Sequence, residues 1–321
     1  MNPALPNNYK LNNTRKSGMN PALPNNYELN NTRKGGVNRL PSWFRQDIPD
    51  DKTLYLRHLF SESGVHTVCQ EARCPNLTHC FKDKKVTFMI LGGSCTRNCR
   101  FCGVNKTDVL ALNEEEPRRL AQIVKQLDLK YVIITSVTRD DLADGGATHF
   151  AKCIKLIHNI NRDIKVEVLI PDFQGKIAGL KCVLDAGPEV LAHNMETASR
   201  LYADLRPQAN YYLSLEILGR AKELQPAITT KSSIMLGLGE TEGEVISVME
   251  GLRENQCDLL TLGQYLAPSA KHYPVKEFIN IEQFQKYYEI GITLGFKAVL
   301  SGPLIRSSYK AEDIYRELLY A

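Results

Sequence analysis

Six of the nine cysteines fall into two triplets fifteen residues apart, Cys69-x4-Cys74-x5-Cys80 and Cys95-x3-Cys99-x2-Cys102. Three thiolates from one short segment suit an iron–sulfur cubane. A cubane has four irons and ordinarily takes four protein ligands, so a triplet leaves one iron open to a substrate, a cofactor or an unusual ligand. Structural zinc asks for four ligands in two paired arms, and neither a second Cys-x2-Cys nor a His pair follows at that spacing. A redox disulfide would leave one thiol of a triplet over. Two such triplets point to chemistry performed at iron rather than to a fold stapled by metal. Cys153, Cys182 and Cys257 stand alone and read as small core residues.

Positioning those thiols falls to a run of alternating elements that begins at Lys85. Short β-branched runs at 86–91, 131–135, 165–170, 190–193, 228–236 and 259–263 predict six strands. Amphipathic stretches at about 115–127, 147–160, 175–186, 198–224 (broken at Pro207), 242–255 and 282–294 predict helices among them. Near-continuous apolar strands alternating with helices argue for a parallel sheet. Six βα units are too few for a closed eightfold barrel. A doubly wound sheet predicts a dinucleotide fingerprint after its first strand, whereas Gly92-Gly93-Ser94 and the second triplet stand there. The expected fold is therefore α/β, a partial (β/α)6 TIM-type barrel with its chemistry at the carboxyl ends of the strands.

Around the barrel, expected at 85–300, the chain divides into a tail at 1–36, an N-terminal extension at 37–84 with the first triplet, and a C-terminal segment at 301–321. Folding is expected to begin near 41–45, which holds the only Trp, and residues 50–85 to give a short helix and then a cysteine-bearing loop. Residues 1–18 recur at 19–36 with changes only at Lys10/Glu28 and Ser17/Gly35. This Asn- and Pro-rich unit is expected to be disordered, and two copies are too few for a solenoid.

Hydrophobic content of 43% and charged content of 24% over 321 residues are ordinary for a globular protein. No apolar run reaches the ~18 residues of a membrane span, and the opening residues hold no apolar core of the kind a secretory signal requires. A reducing, cytoplasmic setting is expected, with no membrane partner. The formal net charge of +4 resides in the tail, where Lys10, Arg15, Lys16, Arg33 and Lys34 face Glu28 alone. Of 40 basic and 36 acidic side chains, 35 of each remain for the body. That balance lacks the excess by which nucleic-acid-binding bodies are recognised, so no nucleic-acid partner is expected.

Cys95-Thr96-Arg97-Asn98-Cys99-Arg100-Phe101-Cys102, just past the first predicted strand, resembles the hallmark loop of the radical S-adenosylmethionine superfamily. Cys69-Gln70-Glu71-Ala72-Arg73-Cys74-Pro75-Asn76 through Cys80 resembles the auxiliary-cluster motif of the lipoyl synthase family. Similar blocks follow at 135–142, 171–173, 193–197, 237–240, 263–266, 268–269, 301–303 and 306–309 (Arg306-Ser307-Ser308-Tyr309), so the resemblance spans about 41–311. Gln70, Phe81, Gly93 and Ser233 stand where that family commonly has an acidic residue, Trp, Asp and Gly, and none of the four is a ligand.

The resemblance implies radical insertion of two sulfur atoms at carbons six and eight of an octanoyl chain amide-linked to a carrier lysine. Two 4Fe-4S clusters are implied. Cys95, Cys99 and Cys102 would hold one, whose open iron chelates S-adenosylmethionine. Cys69, Cys74, Cys80 and an oxygen ligand, Ser308 with Ser307 as its competitor, would hold the other, which donates sulfur. An alkoxide suits sulfide-cluster iron poorly and is the ligand most easily lost; a turn or helix cap is the bland reading of that Ser pair. By the same analogy Thr135 and Ser136 meet the methionine moiety. Asn194 and Glu196, on one side of the chain after the fourth predicted strand, bind the cofactor, the carboxylate through ribose hydroxyls. Arg206 pairs with the cofactor's carboxylate, Phe101 accompanies the cluster loop, and Gly237 and Gly239 let backbone approach the adenine. A rim salt bridge, a solvated Arg206 and a plain turn are the respective alternatives.

Implied partners are octanoylated lipoyl domains of 2-oxo acid dehydrogenases, the glycine cleavage H protein, a one-electron reductant and an iron–sulfur carrier that rebuilds the spent cluster. A biotin synthase-like or methylthio-transferring enzyme would lack the upstream triplet. A non-catalytic iron–sulfur sensor would leave the rim motifs without a purpose.

Overall fold

The computed structural model describes Asn20 and residues 48–319. The first helix, α1 (Asp51–Ser63), is fixed by its ends: Asp50 accepts from Thr53 N at 2.9 Å, and Gly64 closes it at φ 62°. Its Phe60 meets Phe81 edge-on at 5.7 Å and Phe88 at 6.0 Å, which seats the extension against the sheet. Phe81 thus fills a core position as an aromatic ring.

Short elements follow: β1 (His66–Thr67), α2 (Val68–Glu71) and α3 (Leu77–Lys82). The first triplet accordingly lies on two short helices and the turn between them, where a loop was expected. Local capping makes α2, with Thr67 Oγ1 accepting from Gln70 N at 3.3 Å. Helices of four and six residues are too brief to show an apolar period.

Beyond Lys85 the chain alternates through β2 (Thr87–Ile90), α4 (Glu116–Leu127), β3 (Tyr131–Ser136), α5 (Ala147–Ile160), β4 (Lys165–Leu169), α6 (Ile177–Leu184) and β5 (Val190–Ala192). It continues through α7 (Tyr202–Leu205), α8 (Tyr211–Leu224), β6 (Thr229–Leu236), α9 (Glu242–Glu254), β7 (Leu259–Gln264), α10 (Ile281–Thr293), β8 (Ala298–Gly302) and α11 (Ala311–Leu319). The strands lie in sequence order in one sheet. β1 is antiparallel to β2, with His66 opposite Met89, and every later neighbour is parallel, as in Ile90 opposite Ser136 and Leu262 opposite Ser301. β1 and β8 are edges, so the sheet is an open, partial barrel of the expected kind. It holds two strands beyond the six expected. β1 has only two residues, and β8 (AVLSG) is half small residues, which weakens a β-branched signal.

Outward side chains such as Ile134, Val168, Leu260 and Leu262 belong to the main core under the helices. Inward Leu259 and Leu300 instead pack with Ile305, Tyr309 and Ile314. The C-terminal segment therefore enters the barrel. α11 sits near the amino ends of the strands, where Tyr315 meets Tyr131 at 5.6 Å and Asp313 pairs with Lys85 at 3.0 Å. Inside, Glu167 accepts from Lys231 Nζ and from Tyr131 Oη, each at 2.7 Å. Asn20, the one described residue of the repeat, is buried, and its Nδ2 donates to the Ser301 carbonyl at 2.6 Å. The expected disorder of 1–36 and the folding start at 41–45 otherwise lie outside the described residues. Among the described residues no helix is long and apolar enough to cross a membrane.

Candidate active site

The second triplet occupies the loop after β2, where it is shaped by a buried carboxylate. Leu91 and Gly92 turn through the left-handed region at φ 69° and 87°. Their N–H groups donate to Glu116 at 2.7 and 3.3 Å, and Glu116 also bonds His149 Nε2 at 2.8 Å. Arg97, between Cys95 and Cys99, is clamped at both ends: it donates to Asp172 at 2.6 Å and to Asp140 at 2.7 Å. Cys95 Sγ accepts from Thr138 N at 3.3 Å. The segment after β7 covers the loop. Tyr273 N donates to the Arg100 carbonyl at 2.9 Å, the Arg100 guanidinium lies 5.3 Å over the Tyr273 ring, and a Cβ at Gly103 would stand 3.1 Å from Pro268.

Beside Cys99 lies a cavity of about 130 Å³ lined by Arg97, Thr135, Ser136, Asp172, His193, Asn194, Glu196 and Arg206, among others. Five of the eight predicted cofactor-binding residues thus meet at one pocket, four of them from the ends of strands and Arg206 from the end of α7. Three buried polar atoms of its lining have no hydrogen-bond partner among the described residues: Ser136 Oγ, His193 Nε2 and Arg206 Nε. Such atoms are costly unless a polar ligand meets them. Arg206 is not solvated; its Nη1 donates to Tyr202 Oη at 2.8 Å and to the Asn194 and Met195 carbonyls at 3.2 Å each, leaving Nε–H for something else. Glu196, held at φ 67°, accepts from Asn194 Nδ2 at 3.1 Å; burial pushes its carboxyl up and Arg206 opposes the shift. Thr135 Oγ1 already donates to the Leu169 carbonyl at 3.2 Å.

His193 and Arg97 carried no expected role. Burial and the neighbouring Arg206 charge lower the His193 pKa to about 4. Its Nδ1 faces the Ile170 carbonyl at 2.9 Å and must carry the proton, so Nε2 is a neutral acceptor. Phe101, Gly237 and Gly239 do not line this cavity. Phe101 packs with Leu201, Leu205 and Tyr273. Gly237 sits under the covering segment, where a Cβ would collide with the Glu277 carbonyl and the Gln264 amide.

The first triplet lines a separate cavity of about 250 Å³ together with Arg306, Ser308 and Tyr309. Cys74 N donates to the Cys69 carbonyl at 3.0 Å, closing the end of α2, and Cys80 N donates to the Asn76 carbonyl at 2.8 Å, within α3. Of the two candidate serines only Ser308 is among the lining residues; Ser307 Oγ donates instead to Asn194 Oδ1 at 3.1 Å. Burial pushes the Cys69 thiol up to about 12 and raises Cys74 and Cys80, while the Arg306 charge beside Cys74 works the other way. Burial likewise lifts Cys102 to about 11 and raises Cys99. Without metal these thiols stay protonated, and metal must displace the protons. Among the described residues no three His, Cys, Asp or Glu side chains are gathered as a ready cage for a metal ion. All three thiols of the first triplet, and Cys99 of the second, border cavities, and a thiol donor set, with the Ser308 oxygen at the first, fits an iron–sulfur cluster.

A three-cysteine loop at the carboxyl end of the first parallel strand, beside a pocket of unpartnered polar atoms, defines a radical S-adenosylmethionine enzyme. The model of the radical SAM superfamily matches residues 89–252. Two solved structures share the fold. Methylornithine synthase gives a TM-score of 0.50 at 15% identity over 73% of this chain and 81% of that one. SuiB of Streptococcus suis bound to S-adenosylmethionine gives 0.54 at 13% identity over 75% and 56%. Curated lipoyl synthases are far closer in sequence. That of Caldanaerobacter subterraneus subsp. tengcongensis is 51% identical over 274 residues, 85% of this chain and 96% of that one. That of Aquifex aeolicus is 54% identical over 260 residues, 81% and 94%. The chain belongs to the lipoyl synthase family. It is a sulfur-inserting transferase, and its cofactors include a 4Fe-4S cluster and S-adenosylmethionine.

Proposed function

We propose that the chain inserts two sulfur atoms, at carbons six and eight, into an octanoyl chain amide-linked to a lysine of a lipoyl carrier domain. In this reading Cys95, Cys99 and Cys102 would hold a 4Fe-4S cluster, which with S-adenosylmethionine and one electron from a reductant would supply the radical chemistry that removes hydrogen from the octanoyl chain. A second 4Fe-4S cluster, held by Cys69, Cys74, Cys80 and Ser308, is consumed as the sulfur substrate. The observation that carries the reading is the single cavity lined by all three thiols of the first triplet and by Ser308.

The chain's own residues then bind and shield. Arg206 presents Nε–H to the cofactor's carboxylate, His193 Nε2 and Ser136 Oγ meet its remaining polar groups, and Glu196 accepts from the ribose hydroxyls. A diol donating to Glu196 offsets the cost of a half-buried carboxylate. Arg97, locked between two aspartates, keeps the cysteine loop still, and the segment carrying Tyr273 keeps solvent off it. Arg306 places a cation beside Cys74, which favours the thiolate that binds iron. Phe101, Gly237 and Gly239 serve by packing the cover. Carrier domains of 2-oxo acid dehydrogenases and the glycine cleavage H protein, a one-electron reductant and an iron–sulfur carrier are the partners this chemistry requires, in a cytoplasmic setting.

The test is anaerobic iron and sulfide analysis with single turnover on an octanoyl-lysine peptide, for wild type and for the Cys69→Ala/Cys74→Ala/Cys80→Ala variant. The variant is expected to keep one cluster and to release 5′-deoxyadenosine without sulfur-inserted peptide. Wild type that binds two clusters yet never cleaves S-adenosylmethionine would overturn the reading in favour of a sensor.

A further inference from the structure

The segment from Leu304 to Ser308 touches both cysteine centres. Arg306 and Ser308 line the first cavity, while Ser307 Oγ reaches the other way and donates to Asn194 Oδ1 at 3.1 Å, on the wall of the second pocket. The direction of that bond follows from the far end of the amide. Asn194 Nδ2 donates to Glu196 Oε1 at 3.1 Å, and turning the amide over would set its oxygen against a carboxylate. On the opposite side Asn76, two residues past Cys74, donates Nδ2 to the Leu304 carbonyl at 2.6 Å. The Ile305 carbonyl crosses β7 where Gly263 has no Cβ to block it. One short arm is thus pinned to the first-triplet side at its start and to the S-adenosylmethionine pocket at Ser307.

We propose that Ser307 is a positioning residue that links occupation of the S-adenosylmethionine pocket to the seating of Ser308 in the first cavity. This rests on the reading of the two centres given above. The chemistry asks for such a link, because a radical generated while the arm is unseated has no sulfur in reach, and cofactor is cleaved without product. Asn194 lies on the wall against which the cofactor bears. A ligand that holds Asn194 in place holds Ser307, and one peptide bond further on it holds Ser308. The linkage is reciprocal, so a cluster seated at Ser308 also steadies Asn194.

The experiment uses the anaerobically reconstituted holoenzyme as wild type, Ser307→Ala, Ser307→Thr and Asn194→Ser. Amide hydrogen exchange is followed over 303–311 with and without S-adenosylmethionine, beside the ratio of 5′-deoxyadenosine to sulfur-inserted octanoyl-lysine peptide. In wild type the cofactor is expected to slow exchange in the arm. The response should vanish in Ser307→Ala and Asn194→Ser and return in Ser307→Thr, which keeps the hydroxyl. The ratio should rise about fivefold in Ser307→Ala, the scale of one lost hydrogen bond. An arm that exchanges alike with and without cofactor in wild type, or that still responds in both bond-breaking variants, overturns the link. Wild type that never yields sulfur-inserted peptide would instead overturn the activity, with the exchange response still deciding the link.

Discussion

At the scale of single residues, the imidazole of His193 is divided by its surroundings. The Nδ1–H donates to the Ile170 carbonyl, and Nε2 is left as an acceptor without a partner among the described residues, in the pocket beside Cys99. Its pKa falls from 6.5 to about 4 through burial and the Arg206 charge. The unfolded chain therefore takes up the proton first, and stability is lost as pH drops from the unfolded value towards the folded one. About 2 kcal/mol should go between pH 7 and pH 5. Urea unfolding of the metal-free protein at those two pH values checks this: His193→Gln should lose less stability by about that amount. The convergence of Thr135, Ser136, Asn194 and Glu196 on one pocket was legible in the sequence because strand ends in a barrel meet at one rim, whereas Arg206 reaches that pocket from the end of α7. His193 sat in the same motif, but its role depends on a carbonyl from another part of the chain, and no local pattern reveals that. Arg306 is hidden for the same reason, since only the path of its arm brings it beside Cys74. Phe101, Gly237 and Gly239, expected at the same cofactor, lie outside the lining of the pocket beside Cys99.

At the scale of elements, β7 and the arm that crosses it depend on the absence of one carbon atom. A Cβ at Gly263 would run into the Ile305 carbonyl oxygen, which is backbone and cannot rotate aside. Gly263→Ala must therefore push the arm away from the strand and draw Ser308 out of the first cavity. Overpacking of this kind costs about 1–3 kcal/mol. Iron analysis after reconstitution should show loss at the first triplet with the second retained, and urea unfolding should show the destabilisation; full iron content in the variant would contradict this account of the arm. The sequence marks Gly263 as part of a motif without saying why glycine is needed, because its partner lies far along the chain. Gly93 is similar: it stands where the family commonly has Asp, and a Cβ there would stand 3.2 Å from the His66 ring. The six strands β2 to β7 were legible because helices cover one of their faces and the barrel interior the other, which leaves near-continuous apolar runs. α2 and α3 were not, since capping and turns build them rather than periodicity.

At the scale of the whole molecule, an open barrel must solve a problem that a closed one does not: something has to fill the interior where the strands fail to meet. The C-terminal segment does this with its own apolar residues, Ile305, Tyr309 and Ile314, set on Leu259 and Leu300. In the sequence 301–321 stands apart as a C-terminal segment without a predicted helix, and nothing local to α11 shows that it folds inward, because its partners Leu259 and Leu300 lie on other strands. A consequence follows for the first triplet. The Cys69 thiol stands at about 12 because burial disfavours its thiolate, and Tyr309, Lys310 and the start of α11 line the cavity it faces. Ending the chain after Lys310 removes Ile314, the Tyr315 contact with Tyr131 and the Asp313 pair with Lys85. Water should then reach the cavity and return the thiol towards its ordinary range. Each unit of pKa recovered raises the thiolate fraction, and with it alkylation, about tenfold. Mass spectrometry of the metal-free chain treated with iodoacetamide at mildly basic pH should therefore find Cys69 labelled at least about tenfold faster in the truncated chain. Cys95, Cys99 and Cys102, at the carboxyl ends of the strands and under a separate cover, should keep their wild-type rates. Equal acceleration at both triplets would mean that α11 stabilises the barrel as a whole, and no acceleration would mean that the arm alone closes the cavity.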